Sequence, residues 1–159
     1  MPTIALDRID LRILDLLQRD GRLTNLEVAD KVGLSPSPVL RRVRRLEESG
    51  VIARYVALLD PAKLGLGLSA FVTVKLDKRG RSPSDAFRDA VQGWPEVVAC
   101  YAMTGDTDYL LRVQVTDLEH FSRFVMDRVL KQPGVVDVKS NFVLEKIKET
   151  TALPIASAG

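Results

Sequence analysis

The sequence predicts an α+β protein of two units, a small helical one followed by a larger one in which strands alternate with helices. Two observations carry this. Up to Gly50 the apolar residues recur at helical spacing, punctuated by Gly21, Gly33 and Gly50. After the turn-rich stretch Asp60-Pro61-Ala62-Lys63-Leu64-Gly65-Leu66-Gly67 the period changes to two, the spacing of a half-buried strand.

In the helical unit, Asp7 reads as an N-cap with Asp10 three positions on, a capping box with Asp in place of Glu. Ile9, Ile13, Leu16 and Leu17 form one stripe, and Gly21 is expected to stop the helix in a left-handed conformation. Thr24 and Glu27 box the next helix, with Leu23 and Val28 at the staple positions. Val28, Ala29 and Val32 supply its buried face, and Gly33 ends it. Ser35 is the expected N-cap of a third helix with Pro36 at its first position. Pro38 disfavours helical ψ at Ser37, which leaves Ser37 as an alternative start. Gly50 closes this helix.

The third helix carries four arginines in five positions. Val39, Val43 and Leu46 share its apolar face, with Leu40 at the edge. Arg41 and Arg45 are placed opposite, prolonged by Ser37 and Pro38, and Arg42 and Arg44 flank them. A solvated surface helix has a similar composition. The tight glycine turn before it instead makes a helix-turn-helix, whose second helix enters the DNA major groove. Arg41 and Arg45 are then the candidates for guanine contacts. Arg42, Arg44, Arg54 and the Thr24-Asn25 helix start are candidates for phosphate contacts, and Ser35, Ser37 and Pro38 complete the DNA-facing set. The β-rich run Val51 to Leu58 pairs as a wing or leads into the next unit.

In the second unit, Ala70, Val72, Val74 and Leu76 alternate with Phe71, Thr73 and Lys75 in a strand from Leu68 to Leu76. Lys78-Arg79-Gly80-Arg81 reads as a basic loop. Ser82 caps a helix whose core side is Phe87, Ala90 and Val91. Trp94-Pro95 precedes a strand from Val97 to Met103, and Thr104-Gly105-Asp106-Thr107 turns into another from Asp108 to Val115. Thr116 and Glu119 suggest a further capping box, with Leu118, Phe121, Val125 and Val129 on one stripe. Pro133-Gly134 ends that helix, and Val135 to Lys148 is a last long strand. The order β-α-β-β-α-β is that of a ferredoxin-like domain. Such a sheet has one face free of helices; Phe71, Tyr101 and Phe142 are assigned to it, which predicts a dimer. The boundaries expected are 1–53 for the helix-turn-helix, 54–67 for a linker strand and hinge, 68–150 for the ferredoxin-like domain, and 151–159 for a poorly ordered tail.

Bulk properties exclude much. The chain has 159 residues, 46% hydrophobic and 28% charged. No apolar run approaches the roughly 20 residues of a membrane span, and the N-terminus lacks the order of a signal peptide. Cys100 is the only cysteine, which suits a reducing cytoplasm. Net charge is +2, all of it from the first 54 residues, with ten Lys and Arg against eight Asp and Glu. DNA binding must therefore rest on where charges stand. One histidine, His120, and one cysteine cannot make a zinc site, a triad or a Cys-His pair, and there is no Gly-rich phosphate loop. No catalytic residues, metal ligands or cofactor are expected.

The Gly105-Asp106-Thr107-Asp108 segment reads as a hairpin turn on backbone grounds. It also suits a small ligand, with N–H groups near Gly105 for a carboxylate and Asp106 or Asp108 for an ammonium. A free amino acid bears both groups.

Several stretches taken together resemble the Lrp/AsnC (feast/famine) bacterial transcriptional regulators over residues 5–150. They are Leu6-Asp7-Arg8-Ile9-Asp10, Asp20-Gly21-Arg22-Leu23-Thr24-Asn25, Val32-Gly33-Leu34-Ser35-Pro36-Ser37-Pro38, Arg42-Val43-Arg44-Arg45-Leu46-Glu47 and Gly105-Asp106-Thr107-Asp108-Tyr109-Leu110-Leu111. The resemblance implies a regulator of double-stranded DNA with a winged helix-turn-helix and an effector domain. It implies homodimers that pair through their sheets and assemble into octamers or similar rings. An amino acid is implied between dimers, contacted by Met103, Thr104, Gly105, Asp106, Thr107 and Asp108, with Asp108 tied to the response. The leucine-responsive branch is most similar, which implies leucine, methionine or another aliphatic effector. The last strand departs from that branch at Ser140-Asn141-Phe142-Val143. The alternatives are a DNA-organising protein without an effector, and an amino-acid-binding regulatory subunit of an enzyme.

Overall fold

The computed structural model describes residues 5–77 and 83–155. Lys78 to Arg81 and the expected cap Ser82 lie outside the described residues. The chain forms two compact units. One contains the residues up to Leu58 together with those from Lys148 onward, and the other spans Leu59–Ile147.

In the first unit, α1 (Arg8–Arg19), α2 (Asn25–Val32) and α3 (Pro36–Glu48) enclose a core of Ile13, Val28, Ala29, Val32, Val39, Val43 and Leu46. Both capping boxes form: Asp7 accepts from the Asp10 N–H, and Thr24 from the Glu27 N–H. Gly33 is left-handed at φ 72°, and the Leu34 N–H reaches back to the Ala29 carbonyl, closing the turn between α2 and α3. Ser35 is the N-cap of α3 by its backbone, although its hydroxyl makes no capping bond.

Gly21 corrects an expectation, because α1 ends at Asp20 in extended conformation and Gly21 is not left-handed. A side chain there would stand 3.1 Å from the Tyr55 ring, so close approach accounts for the glycine. The β-rich run Val51 to Leu58 forms no strand in the single chain. Its Tyr55 hydroxyl instead donates to Glu47 at 3.0 Å, and desolvation, followed by that carboxylate, pushes the phenol up to about 12. The C-terminal segment is also placed differently from expectation. The Gln18 side chain accepts from the Leu153 N–H at 2.8 Å and donates to the Leu153 carbonyl at 3.1 Å. The chain thus returns to α1 through at least Leu153.

The second unit is a four-stranded antiparallel sheet in the order β2-β3-β1-β4, built from β1 (Leu68–Leu76), β2 (Val97–Ala102), β3 (Tyr109–Val115) and β4 (Val135–Phe142). With α4 (Pro83–Gln92) and α5 (Leu118–Phe124) it has the ferredoxin-like order. Ala70, Val72, Val74 and Leu76 of β1 and Tyr109, Leu111, Val113 and Val115 of β3 are buried with Phe87, Val91, Trp94, Phe121, Phe124 and Val129.

Four local expectations change here. The cap of α5 is Asp117, which accepts from the His120 N–H, while Thr116 donates to Asp117. The α5 helix continues as a π-helical turn over Val125–Val129; Phe121, Phe124 and Val129 are buried and Val125 packs partly buried against them, while Leu118 in the first turn is 61% exposed. The last strand stops at Phe142 rather than Lys148. Finally, Phe142 pairs with Ala70 and its ring lies 4.9 Å from that of Phe121, so it belongs to the helix side. Asn141, paired with Phe71, takes the open-face position, and Tyr101 lies on that face through Leu110 and Thr73.

Candidate nucleic-acid interface and hairpin loop

The outward face of α3 is shaped by what its other sides must do. Val39, Val43 and Leu46 are buried, which turns Ser37, Leu40, Arg41, Arg44, Arg45 and Glu48 to solvent. Arg41 and Arg44 are three residues apart and point the same way, as side chains on adjacent turns do. Of the other expected contacts, Thr24, Ser35 and Arg54 are exposed, while Asn25 and Pro38 are half-buried.

Arg42 and Arg45 have partners within the unit. Arg42 donates to Asp7 at 2.6 Å and to Asp10 at 2.7 Å, and Arg45 donates to the other Asp10 oxygen. The Asp7 N–H donates to that same oxygen at 3.1 Å. The Asp10 side chain is 0% exposed, whereas Arg42 and Arg45 retain 25% and 47% of their side-chain surface. Arg45 is thus tied to α1 by its guanidinium while still lining the outward cleft with Ser37, Leu40, Arg41, Arg44 and Glu48. The Asp10 N–H and the Arg42 guanidinium hold the Asp7 carboxyl below its ordinary range. Asp10 was legible in the sequence only as a cap. The signal for its second role is the Arg42/Arg45 pair, three apart and bordering the apolar stripe, where buried arginine stems need a carboxylate.

Arg12 adds a further tie from α1, donating to the Lys31 carbonyl at the C-terminal end of α2 at 2.9 Å. Helix α1 thus holds the end of α2 and the middle of α3.

In the other unit, Met103 to Asp106 are exposed and Gly105 is left-handed at φ 104°. Asp108 is stitched into the sheet. Its N–H donates to Val74, its carbonyl accepts from Met103, and a carboxylate oxygen accepts from the Leu76 N–H at 2.8 Å. Asp106 is the more accessible of the two carboxylates. Because the loop is open to solvent, a ligand held there needs a second wall.

His120 stands 3.4 Å from Glu96, which also accepts from Arg128 at 3.1 Å, tying α5 and its continuation to the start of β2. The Cys100 thiol is pushed up by burial, the reverse of what a nucleophile needs. Among the described residues no three His, Cys, Asp or Glu side chains cluster to hold a metal, and no helix is long and apolar enough to cross a membrane.

Comparison with known proteins agrees with both units. Residues 6–53 match the winged helix-turn-helix DNA-binding family, and residues 69–153 match the Lrp/AsnC ligand binding domain. The leucine-responsive regulatory protein of Escherichia coli K12 is 42% identical over 154 residues, covering 97% of this chain and 94% of that protein. A transcriptional regulator from Neisseria meningitidis, solved as its L-Met complex, is 48% identical with a TM-score of 0.93, over 96% of this chain and 98% of that one. An AsnC family regulator from Agrobacterium tumefaciens is 43% identical with a TM-score of 0.88, over 94% and 97%. These relatives are regulators rather than enzymes. With both halves matched in order, the chain belongs to the Lrp/AsnC family of DNA-binding transcriptional regulators, each with an amino-acid-binding domain.

Proposed function

We propose that this regulator reads DNA with the outer face of α3 and changes its assembly when a small aliphatic amino acid binds at the Met103–Asp108 loop. The observation that carries the first half is the pair Arg41 and Arg44, exposed on one face of a helix held by a tight turn. Two such helices in a homodimer would enter successive major grooves about one helical turn apart. Ser37 lies on the same face, and Thr24, Asn25, Ser35, Pro38 and Arg54 fall to phosphate and backbone contacts around it. The protein is proposed to work in the cytoplasm.

For the second half, the Neisseria relative was crystallised with L-Met and the E. coli relative is named leucine-responsive, so methionine and leucine are the first effectors to test. The exposed loop would gain its second wall from a neighbouring dimer. The open sheet face, with Phe71 and Tyr101, would pair the protomers within each dimer, and dimers would build an octamer or similar ring. An effector changes that assembly only through unequal affinity for its states.

Gel shifts against genomic fragments, with and without each amino acid, test both halves. Arg41→Ala should weaken binding and relax sequence preference; an unchanged preference removes that face from the reading. Asp106→Ala should abolish the shift in sedimentation caused by the effector without unmaking the sheet, whereas Asp108→Ala also removes the acceptor of the Leu76 N–H. If Asp106→Ala responds like the parent protein, the loop is not the sensor. Binding that ignores all amino acids favours a DNA-organising protein without an effector.

A further inference from the structure

Asp10 is the only buried charged side chain among the described residues, and both its oxygens are occupied. We propose that Asp10, assisted by Asp7, draws Arg42 inward and neutralises Arg45 where it stands on the outward cleft, so that the charge α3 offers to DNA is that of Arg41 and Arg44. This makes Asp10 a positioning and selectivity residue, and it rests on the reading that the outer face of α3 enters the groove.

Two consequences of the geometry support it. The first is mechanical. The apolar contacts of α3 are made by Val39, Val43 and Leu46, side chains without directional bonds, so they tolerate small slides and rotations. Arg42 and Arg45 straddle one carboxylate from successive turns, and hydrogen bonds to ions are short and directional. Holding both fixes the rotation and the axial position of α3 against α1. Since Arg41 and Arg44 are its immediate neighbours in sequence, their aim is fixed with it.

The second consequence is electrostatic. Each phosphate contact adds about 0.9 to the slope of log affinity against log salt, whatever the DNA sequence. Four loose guanidiniums would favour every duplex equally. Neutralising two at contact distance lowers that indiscriminate attraction, while Arg41 and Arg44 keep their reach to base edges. What falls is non-specific binding, and what rises is the ratio of specific to non-specific affinity. The small excess of positive charge in the first 54 residues fits this arrangement.

The test measures affinity of the full chain across a salt series, on a non-specific duplex and on a genomic fragment selected by the parent protein. Arg41→Gln and Arg44→Gln should each flatten the non-specific slope by about 1. Arg42→Gln and Arg45→Gln should leave that slope unchanged while weakening binding to the selected fragment. Asp10→Asn should steepen the slope by about 1 to 2 and raise non-specific affinity, with a lower ratio between the two duplexes. Asp7→Asn, which keeps a good N-cap residue at an exposed position, should shift both quantities the same way by less.

A purely structural Asp10 would change the folded fraction and leave the slope alone; that result, or a flattened slope in Arg42→Gln or Arg45→Gln, overturns the proposal. Should Asp10→Asn fail to fold, the Asp7 and arginine variants still decide. If Arg41→Gln and Arg44→Gln also leave the slope unchanged, the groove reading itself has failed, an outcome distinct from failure of the Asp10 proposal.

Discussion

The two units solve cohesion differently. The sheet unit buries Phe87, Trp94, Tyr109, Phe121 and Phe124 beside its strand residues, and the rings lock against one another: Phe87 lies 5.7 Å from Trp94 and 4.8 Å from Tyr109. The helical unit has no aromatic in its buried core and includes a buried carboxylate. Large planar side chains specify their neighbours' positions by shape. Small aliphatic ones fill space with less directional preference, so three short helices need something else to set their register. Here Asp10 and Arg12 of α1 supply it through directional bonds. A reading head must be accurately aimed as well as folded, and a small core alone does not aim it.

The largest expected effect sharpens the aromatic side of that contrast. Phe87→Ala should cost about 3–5 kcal/mol by chemical denaturation, because it removes a ring packed on two others. Leu46→Ala, at a position 0% exposed, should cost about 2–5 kcal/mol. A cost below about 1 kcal/mol would mean that the ionic network, more than the core, holds the head together.

Acid separates the units next. Asp7, Asp15 and Glu27 in the helical unit are all held below the ordinary carboxylate range, the first and last chiefly by backbone N–H groups and Asp15 by Arg19. A carboxyl with a lowered folded value contributes stability above its unfolded value, near pH 4, and loses it as pH falls through the folded value. Melting followed from about pH 6 to about pH 3 should therefore show falling stability. Helical signal should be lost ahead of the near-ultraviolet signal of Trp94. The sheet unit has its own lowered groups, Asp117 and Asp127, so three such carboxylates in the smaller unit stand against two in the larger. Loss of both signals together would erase the distinction.

The smallest effect concerns the returning C-terminal segment. Gln18→Ala removes two hydrogen bonds to Leu153, worth about 1 kcal/mol each at most. Global melting should barely move, while limited proteolysis after Lys148 should speed up. Unchanged cleavage would show that the segment is held by something other than Gln18.

Much of this architecture was legible because it depends on neighbours in sequence. The capping boxes at Asp7 and Thr24, the helix stop at Gly33 and the alternation of Ala70, Val72, Val74 and Leu76 are all local events, readable at spacings of two, three or four. The outward exposure of Arg41 and the exposed Gly105 turn followed from the same periodicities. Where the structure departs from those periodicities, the cause is a partner distant in the chain. Gly21 is a glycine because Tyr55 lies against it, and Phe142 faces Phe121 because β4 pairs with β1 in one register rather than the next. On α5, Phe121, Val125 and Val129 keep the expected stripe, and Leu118 in the first turn is the member left exposed.

By itself, then, the order of residues determined the elements, their caps and the division into a helical head and a sheet domain, since local backbone preferences and apolar periods are properties of short stretches. Only the tertiary structure decided that Arg42 and Arg45 share one buried carboxylate, because the 32 and 35 residues separating Asp10 from them are closed by folding, not by any period along the chain.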